Sequence, residues 1–533
     1  MYHEGAFDST VDVIVVGFGD AGAVAAMTAH DAGAETLIVE KQSAEARRPN
    51  SRFSGGLFIS PSDVDAAEHY MRELYRRDEG GCETDPALIR VWAEETARNA
   101  GWLREQGGAC HRFLDRGEHR HIEGYDSIHL YKPDMNEHPN SSGHSGWGWG
   151  LFKFLSNRVA DRGVPVQCGT RAQWLLTDSA GSVIGLRVHD GVRTRDIGAR
   201  KGVVLTCGGF EFNDWLKLNY LRVNPTRFYG NPENTGDGIL MAQEVGAELW
   251  HMNSCAARLV GYFPDSGYPG GCPIDIWGVE GTDGVKVLNG DVAGAEAVNL
   301  PVADTEITSP EHELPGVVFV DQYGQRFTNE VYRAHTLYYE LTNLDSQRLV
   351  YPKIPSWWIF DDRRFKIGPL TPTFMGPTGP LQQIPWSADN LAEIERGWVL
   401  TADSVGELAT RCGIDPSVLV ETVNRYNAAC ANGNDPDFRR PASTLTPLDG
   451  PTYYAVKLWP GGPNTQGGPR RNANAQVMRV TGEPIPGLYS AGELGSIYGM
   501  LYPSGGGNIA ECLAFGRVAG RNVASGRGGA PRR

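Results

Sequence analysis

From Pro486 to Arg517 the chain reads P-G-L-Y-S-A-G-E-L-G-S-I-Y-G-M-L-Y-P-S-G-G-G-N-I-A-E-C-L-A-F-G-R. A strand ending at Gly492-Glu493 leads to a loop with three consecutive glycines, Gly505 to Gly507, immediately before a helix. Glycine lets bare backbone N–H groups close on a ligand, and a helix N-terminus behind them favours negative charge. The N-terminal counterpart is V-D-V-I-V-V-G-F-G-D-A-G, Val11 to Gly22. Together the two stretches point to a planar, partly anionic ligand of the flavin type.

Working outward from them, Val11 to Val16 reads as a buried parallel strand, Ala21 to Ala32 as an Ala-rich helix closed by Gly33, and Thr36 to Glu40 as a second strand. Gly17, Gly19 and Gly22 are spaced as G-x-G-x-x-G, and the acid Glu40 follows about twenty residues on, which is the dinucleotide pattern. The glycines allow the turn, approach to a pyrophosphate and close helix–strand packing, and Glu40 can accept hydrogen bonds from an adenosine ribose. That motif does not separate FAD from NAD. Later segments do: Ser54-Gly55-Gly56, a strand Lys201 to Cys207 running into Gly208-Gly209-Phe210-Glu211, and Asn234-Thr235-Gly236-Asp237-Gly238 opening a helix. They bring the chain back repeatedly to one extended ligand.

At 533 residues the chain has room for two or three domains. A hydrophobic share of 41% and a charged share of 21% are those of an ordinary globular protein, and 67 glycines fit many tight turns. A formal charge of −15 argues against nucleic acid as a partner, because phosphate rewards basic surfaces. No apolar run reaches bilayer length, and the start M-Y-H-E-G-A-F lacks the apolar core of a secretion signal. Nine scattered cysteines without a C-x-x-C pair suit reduced thiols, so a cytoplasmic location is expected. Six of the thirteen histidines fall between His111 and His144, with irregular spacing that reads as a solvated loop; no metal site is expected.

The series G-F-G-D-A-G, S-G-G, C-G-G-F-E, T-G-D-G, G-Q-R-F-T-N-E, G-L-Y-S-A-G-E and S-G-G-G-N resembles the fumarate reductase and 3-ketosteroid dehydrogenase flavoprotein family over nearly the whole chain. The resemblance implies an α/β fold: a Rossmann-like FAD-binding domain of the glutathione-reductase type, interrupted by an α+β capping domain, with the active site between them. Mapped onto this chain, the FAD domain takes residues 1–258 and 453–533 and the cap 259–452. Asn289 to Pro315 is a low-complexity excursion of the cap, and Asn432 to Pro451 a linker back. The expected cofactor cradle comprises Gly17, Gly19, Asp20, Ala21, Gly22, Glu40, Lys41, Ser54, Gly55, Gly56, Gly208, Gly209, Asp237, Gly492 and Glu493. Gly507, Asn508 and Ile509 complete it at the start of the last helix. No histidine lies between Arg47 and Gly56, where relatives attach flavin covalently, so the FAD is expected to be non-covalent.

The resemblance also implies hydride transfer between flavin N5 and a carbon near an activating group, with a proton moving at the neighbouring carbon. The loop matches the steroid dehydrogenase pattern without gaps from Tyr502 to Gly516. Tyr502 and the backbone N–H of Gly506 then polarise a ketone, and Ser504 relays a proton or caps the loop. The acid/base follows Asn329-Glu330: Tyr332, with Arg333 beside it to lower its pKa, or Arg333 itself. Tyr332 falls one position short of the pattern and Arg333 sits in register. The fumarate-type substrate histidine is replaced by Asn464 and the substrate arginine by Ser504. Neutral side chains do not clamp a dicarboxylate, so fumarate itself is disfavoured. Aromatic clusters at Trp147, Trp149, Tyr262, Phe263, Trp357 and Trp358 suit a bulky apolar ketone. The expected reaction is oxidation of a CH–CH bond beside a carbonyl, with an external electron acceptor; the alternative is an enone or enoate reductase running the same site in reverse. A flavin monooxygenase and a non-catalytic flavoprotein are the remaining readings.

Overall fold

The N-terminal apolar run forms strand β1 (Ser9–Val16), whose buried half, Val13 to Val16, has neighbours on both sides. Apolar side chains at successive positions belong to a parallel strand covered on both faces. Helix α1 (Asp20–Asp31) follows the glycine turn, and β2 (Thr36–Val39) returns parallel to β1, pairing Val13 with Thr36 through Val16 with Val39. On the other side β1 pairs in parallel with β3 (Thr194–Leu205), and β3 with β4 (Pro484–Ser490). Among the described residues the sheet has the order Gln476–Met478, β4, β3, β1, β2, Val166–Gln167. The hairpin Arg171–Thr177 and Val183–His189 adds antiparallel to the first half of β3. That pairing explains why β3 starts earlier than the apolar run from Lys201: Thr194 to Arg200 is held by its neighbour, not by its own hydrophobicity.

The last helix, α2 (Gly507–Ala524), lies along α1. Gly516 and Gly520 make this possible: a Cβ on them would meet Val24 Cβ at 2.9 Å and the Ala25 carbonyl at 2.5 Å. Small residues on α2 thus meet the Ala-rich face that the sequence gives α1, and the two ends of the chain share one core.

The structure, a computed structural model, describes residues 1–76, 82–115, 117–135, 147–276, 315–330, 335–372, 375–379 and 381–526. Tyr332 and Arg333, and the low-complexity excursion apart from Pro315, lie outside the described residues. The chain divides into two compact units, one of Met1–Leu221, Gly230–Ala256 and Asn464–Arg533, the other of Arg222–Tyr229 and Ala257–Pro463. Most of the strand Tyr453–Thr465 is an inner strand of the second unit's sheet. That sheet runs Cys255–Gly261, Tyr453–Thr465, Ser356–Asp361, Val317–Val320, with Val399–Ala402 also on Tyr453–Thr465. Trp357 and Ile359 face the helices Val405–Cys412 and Pro416–Asn432 through Leu408, Leu419 and Val423. Trp358 and Phe360, on the opposite face, pack with their rings tilted at 36° and centroids 4.4 Å apart.

The G-Q-R-F-T-N-E segment builds a sealed ionic network in this unit. Arg326 donates to both carboxylate oxygens of Glu330 at 2.8 Å and to Asp435 at 3.0 and 3.2 Å, and Arg440 reaches Glu330 at 3.3 Å. The side chains of Glu330, Asp435 and Arg440 are fully buried. Removing one partner of such a network leaves an uncompensated buried charge, which costs about 3–5 kcal/mol. Arg326→Met is therefore expected to lower stability by that amount in urea unfolding; a loss under ~1 kcal/mol would show that the network is solvated in solution.

Among the described residues no helix is long and apolar enough to cross a membrane.

Candidate active site

The first unit carries a cavity at the carboxyl ends of β1 and β2. That place is the one a cofactor takes in an open α/β sheet. Its wall contains nine of the residues expected from sequence: Gly17, Gly19, Asp20, Ala21, Glu40, Lys41, Gly208, Asp237 and Glu493. The turn is drawn tight by the Gly17 N–H, which donates to Val39 O at 2.8 Å. Gly22 is needed for packing rather than for the cavity, because a Cβ there would collide with the Gly17 carbonyl. Glu40 accepts from Phe18 N and Gln42 N, both at 2.8 Å, and so fixes the loops on either side of it. Lys41 donates to Thr235 and Asp237, each at 3.1 Å, closing one end of the cavity with an ion pair.

Asp20 is the first residue of α1 and fully buried, and neither carboxyl oxygen has a partner among the described residues. Burial pushes its pKa up to about 7, against a small opposing effect of the Ser51 hydroxyl. Glu493 receives a hydrogen bond from Asn50 Nδ2 at 3.1 Å, while its other oxygen is buried and unpartnered. Burial, and then the neighbouring Glu211 carboxyl, raise its pKa well above the carboxylate range. Glu211 takes the Thr465 N–H at 2.7 Å and hydroxyl at 2.9 Å. A Cβ on Gly209 would strike both carboxyls, so this position accepts only glycine. Ser54, Gly55 and Gly56 are not in the cavity wall. Ser54 Oγ accepts the Gly56 N–H at 3.0 Å, and Gly56, at φ +65°, packs against Trp147-Gly148.

At the N-terminus of α2, Gly506 takes a left-handed conformation (φ +81°) and Gly507 N donates to Ser504 O at 3.2 Å. Tyr502 is 6% exposed, and its Oη accepts the Asn508 N–H at 2.7 Å. Burial, then the nearby Tyr498, hold the phenol's pKa well above its ordinary value. Tyr498 packs edge-on against it with centroids 5.3 Å apart. Asn508 Nδ2 donates to Asn464 at 2.7 Å, leaving its own buried Oδ1 unpartnered. Ser504 and Ile509 are buried beside it, and Gly492 (φ +75°) abuts Ala21 and Cys512.

Asn50, Ser51 and Cys512 line the cavity without having been expected there, and Asn234, from the T-G-D-G segment, lines it as well. No local sequence signal marks Asn50 or Ser51, because it is the fold that brings the short helix Asn50–Phe53 to the cavity. The histidine-rich stretch also differs from its reading as a solvated loop. His119 and His129 are buried, and His119 Nε2 lies 3.1 Å from the Tyr502 carbonyl, with burial lowering its pKa. Of the aromatic residues expected to face a ligand, several are packing elements: Trp357 and Trp358 belong to the sheet faces, Trp147 is 2% exposed, and Phe263 stacks on Trp398 at 4.7 Å.

Among the described residues, buried polar atoms on Asp20, Glu493, Glu211, Asn508 and Asn234 in this region have no partner. Such atoms are costly unless a polar ligand satisfies them. Glycine N-caps without side-chain capping bonds, Gly19 on α1 and Gly506 on α2, add two helix N-termini suited to anionic groups. The residues present fit a long, polar, partly anionic cofactor such as FAD.

Fold and cavity together define a dinucleotide-binding α/β flavoprotein. The chain matches the model of the FAD binding domain family (FAD-binding 2 type) over residues 12–272 and 297–509, and it belongs to that family. It is 26% identical to a 3-oxosteroid 1-dehydrogenase of Mycobacterium tuberculosis, across 96% of this chain and 98% of that one. It is 27% identical to a fumarate reductase (cytochrome) of Shewanella frigidimarina, across 97% of this chain and 77% of the relative. In fold it resembles the 3-ketosteroid delta1-dehydrogenase of Sterolibacterium denitrificans, solved in complex with 1,4-androstadiene-3,17-dione. The TM-score is 0.77 at 22% identity, covering 97% of this chain and all of that one.

Proposed function

We propose that the protein is an FAD-dependent oxidoreductase that oxidises a CH–CH bond next to the carbonyl of an apolar cyclic ketone, as a 3-ketosteroid dehydrogenase does. The observation that carries this reading is Tyr502, a buried phenol held protonated beside Gly506 at the N-terminus of α2. A protonated phenol and a backbone N–H fixed by a left-handed glycine are preorganised donors for a carbonyl oxygen that gains negative charge. When bound, FAD supplies the two-electron acceptor for the β-hydrogen. Glu493, Gly19, Asp20 and the first turn of α2 would hold it without a covalent bond. Tyr332, or Arg333, takes the α-proton, and Ser504 stands by for proton relay. With the α-proton on the base and the β-hydrogen removed with its electron pair, the C–C single bond becomes a double bond. Buried Asn464 and Ser504, in place of charged residues, support a ketone over a dicarboxylate.

The relation to a fumarate reductase supports one second reading, the same site reducing an enone. An external electron acceptor or donor completes the cycle in either direction. Nine scattered cysteines without a C-x-x-C pair support a reducing, cytoplasmic location.

The test is anaerobic titration of the oxidised holoenzyme with saturated cyclic ketones, 3-ketosteroids included, following visible absorption. Loss of the yellow band is the expected result. A persistent yellow band, with reoxidation of dithionite-treated enzyme by an enone, would reverse the direction proposed.

A further inference from the structure

Arg471, just after the short strand Gly468–Pro469, is a cation that the first unit buries to 1% exposure. Its Nη1 donates to the carbonyls of Gly492 at 3.3 Å and Leu494 at 3.2 Å, the two residues that flank Glu493. Its Nη2 pairs with Glu511, a fully buried carboxylate one turn into α2. Glu511 in turn accepts from Ser496 Oγ at 2.6 Å and from the Ile497 N–H at 3.2 Å. The guanidinium also packs over the Phe515 ring, a further turn along α2, at 4.9 Å. Burial lowers the pKa of Arg471 to about 9, which leaves it charged at neutral pH.

Two apolar residues of similar size often stabilise a core as well as a buried ion pair does. What a guanidinium adds is geometry, because its planar fork fixes several acceptors at set positions. Here those acceptors are the carbonyls on both sides of Glu493 and a carboxylate of α2. The backbone bonds of the same loop, Gly495 N–H to Gly467 O and Ser496 N–H to Gln466 O, lie beyond Glu493. We propose that Arg471, together with Glu511, is the positioning residue that keeps Glu493 in register with the N-terminus of α2. The inference rests on the proposed function for the FAD that these two features would hold, and it adds how the chain sets the flavin's redox potential. A helix N-terminus favours the negative charge of reduced flavin only while it stays aimed at the ring.

The test is the midpoint potential of the FAD-loaded protein, measured by reduction in the presence of a reference dye, with melting recorded alongside. Two variants are compared with the wild type. Arg471→Met/Glu511→Gln removes both charges while glutamine still accepts from Ile497; Arg471→Lys keeps the charge but loses the fork. In the double variant the potential is expected to fall by about 30 mV, a tenfold weaker preference for reduced over oxidised FAD. Its melting is expected to stay near that of the wild type, since no charge is left buried without a partner. Arg471→Lys is expected to lie between the two. An unchanged potential in either variant with FAD bound overturns the proposal, whatever the melting shows, and leaves the pair a structural element only. Should the double variant not fold or not retain FAD, Arg471→Lys decides by the same criterion. No ketone enters the assay, so its failure is separable from failure of the ketone titration.

Discussion

FAD binding to the apoprotein is expected to weaken by up to about tenfold per pH unit above neutrality, and Asp20→Asn is expected to remove that dependence. Asp20 begins α1 with both oxygens buried and unpartnered in the cavity wall, and its pKa stands at about 7. A diphosphate seated at the N-terminus of α1 would face this carboxyl and penalise its ionised form further. The complex then holds the proton over a range in which the apoprotein has lost it, so binding takes up a proton and affinity falls as pH rises. The same raised pKa governs the apoprotein's stability. The folded state binds more protons than the unfolded chain between about pH 4 and about pH 7, so stability present at low pH is lost across that window. The loss amounts to about 4 kcal/mol if the unfolded carboxyl titrates at its ordinary value. Flavin fluorescence quenching measured from about pH 6 to about pH 9, with melting of the apoprotein alongside, reads both effects. A flat affinity in the wild type, or the same slope in Asp20→Asn, would place the diphosphate elsewhere.

Tyr502→Phe is expected to lower kcat by about 10²–10³-fold with FAD still bound, which is the scale of losing one donor to a developing oxyanion. The variant separates two roles that the structure superimposes. Tyr502 Oη accepts the Asn508 N–H and thereby caps α2, so its loss leaves an unsatisfied N–H worth about 1–3 kcal/mol of stability. If melting falls by that amount while turnover per bound flavin is unchanged, Tyr502 is a helix cap and the catalytic assignment fails. A drop in turnover far beyond any loss of FAD supports the assignment.

How much of this was legible in the sequence depended on the range of the interactions. The β1–α1–β2 unit could be read residue by residue because its signals are local: a continuous apolar run, glycines at fixed spacing and an acid after β2. The glycine run that starts α2 was readable for the same reason. The first half of β3 was not, since its pairing partner rather than its own side chains makes it a strand. The role of Arg326 and Glu330 stayed hidden because Asp435 and Arg440 lie over a hundred positions away. Asp20 could be placed at the glycine turn, but its lack of partners is a property of the surrounding fold. Histidine clustering was half informative: His111 and His121 are exposed but His119 and His129 are buried, because proximity in sequence says nothing about which rings the chain buries.

The adjacency of β3 and β4 has a consequence for synthesis on the ribosome. Val203 to Leu205, fully buried in the finished sheet, take β4 as their neighbour, yet β4 begins 279 positions after β3 ends (484 − 205). At about 5–20 residues per second the nascent chain carries that apolar strand edge uncovered for roughly 15 to 55 seconds. During that interval it is a template for pairing with any other extended chain. Emergence of β4, rather than of the glycine turn, is then the event that completes the cofactor sheet.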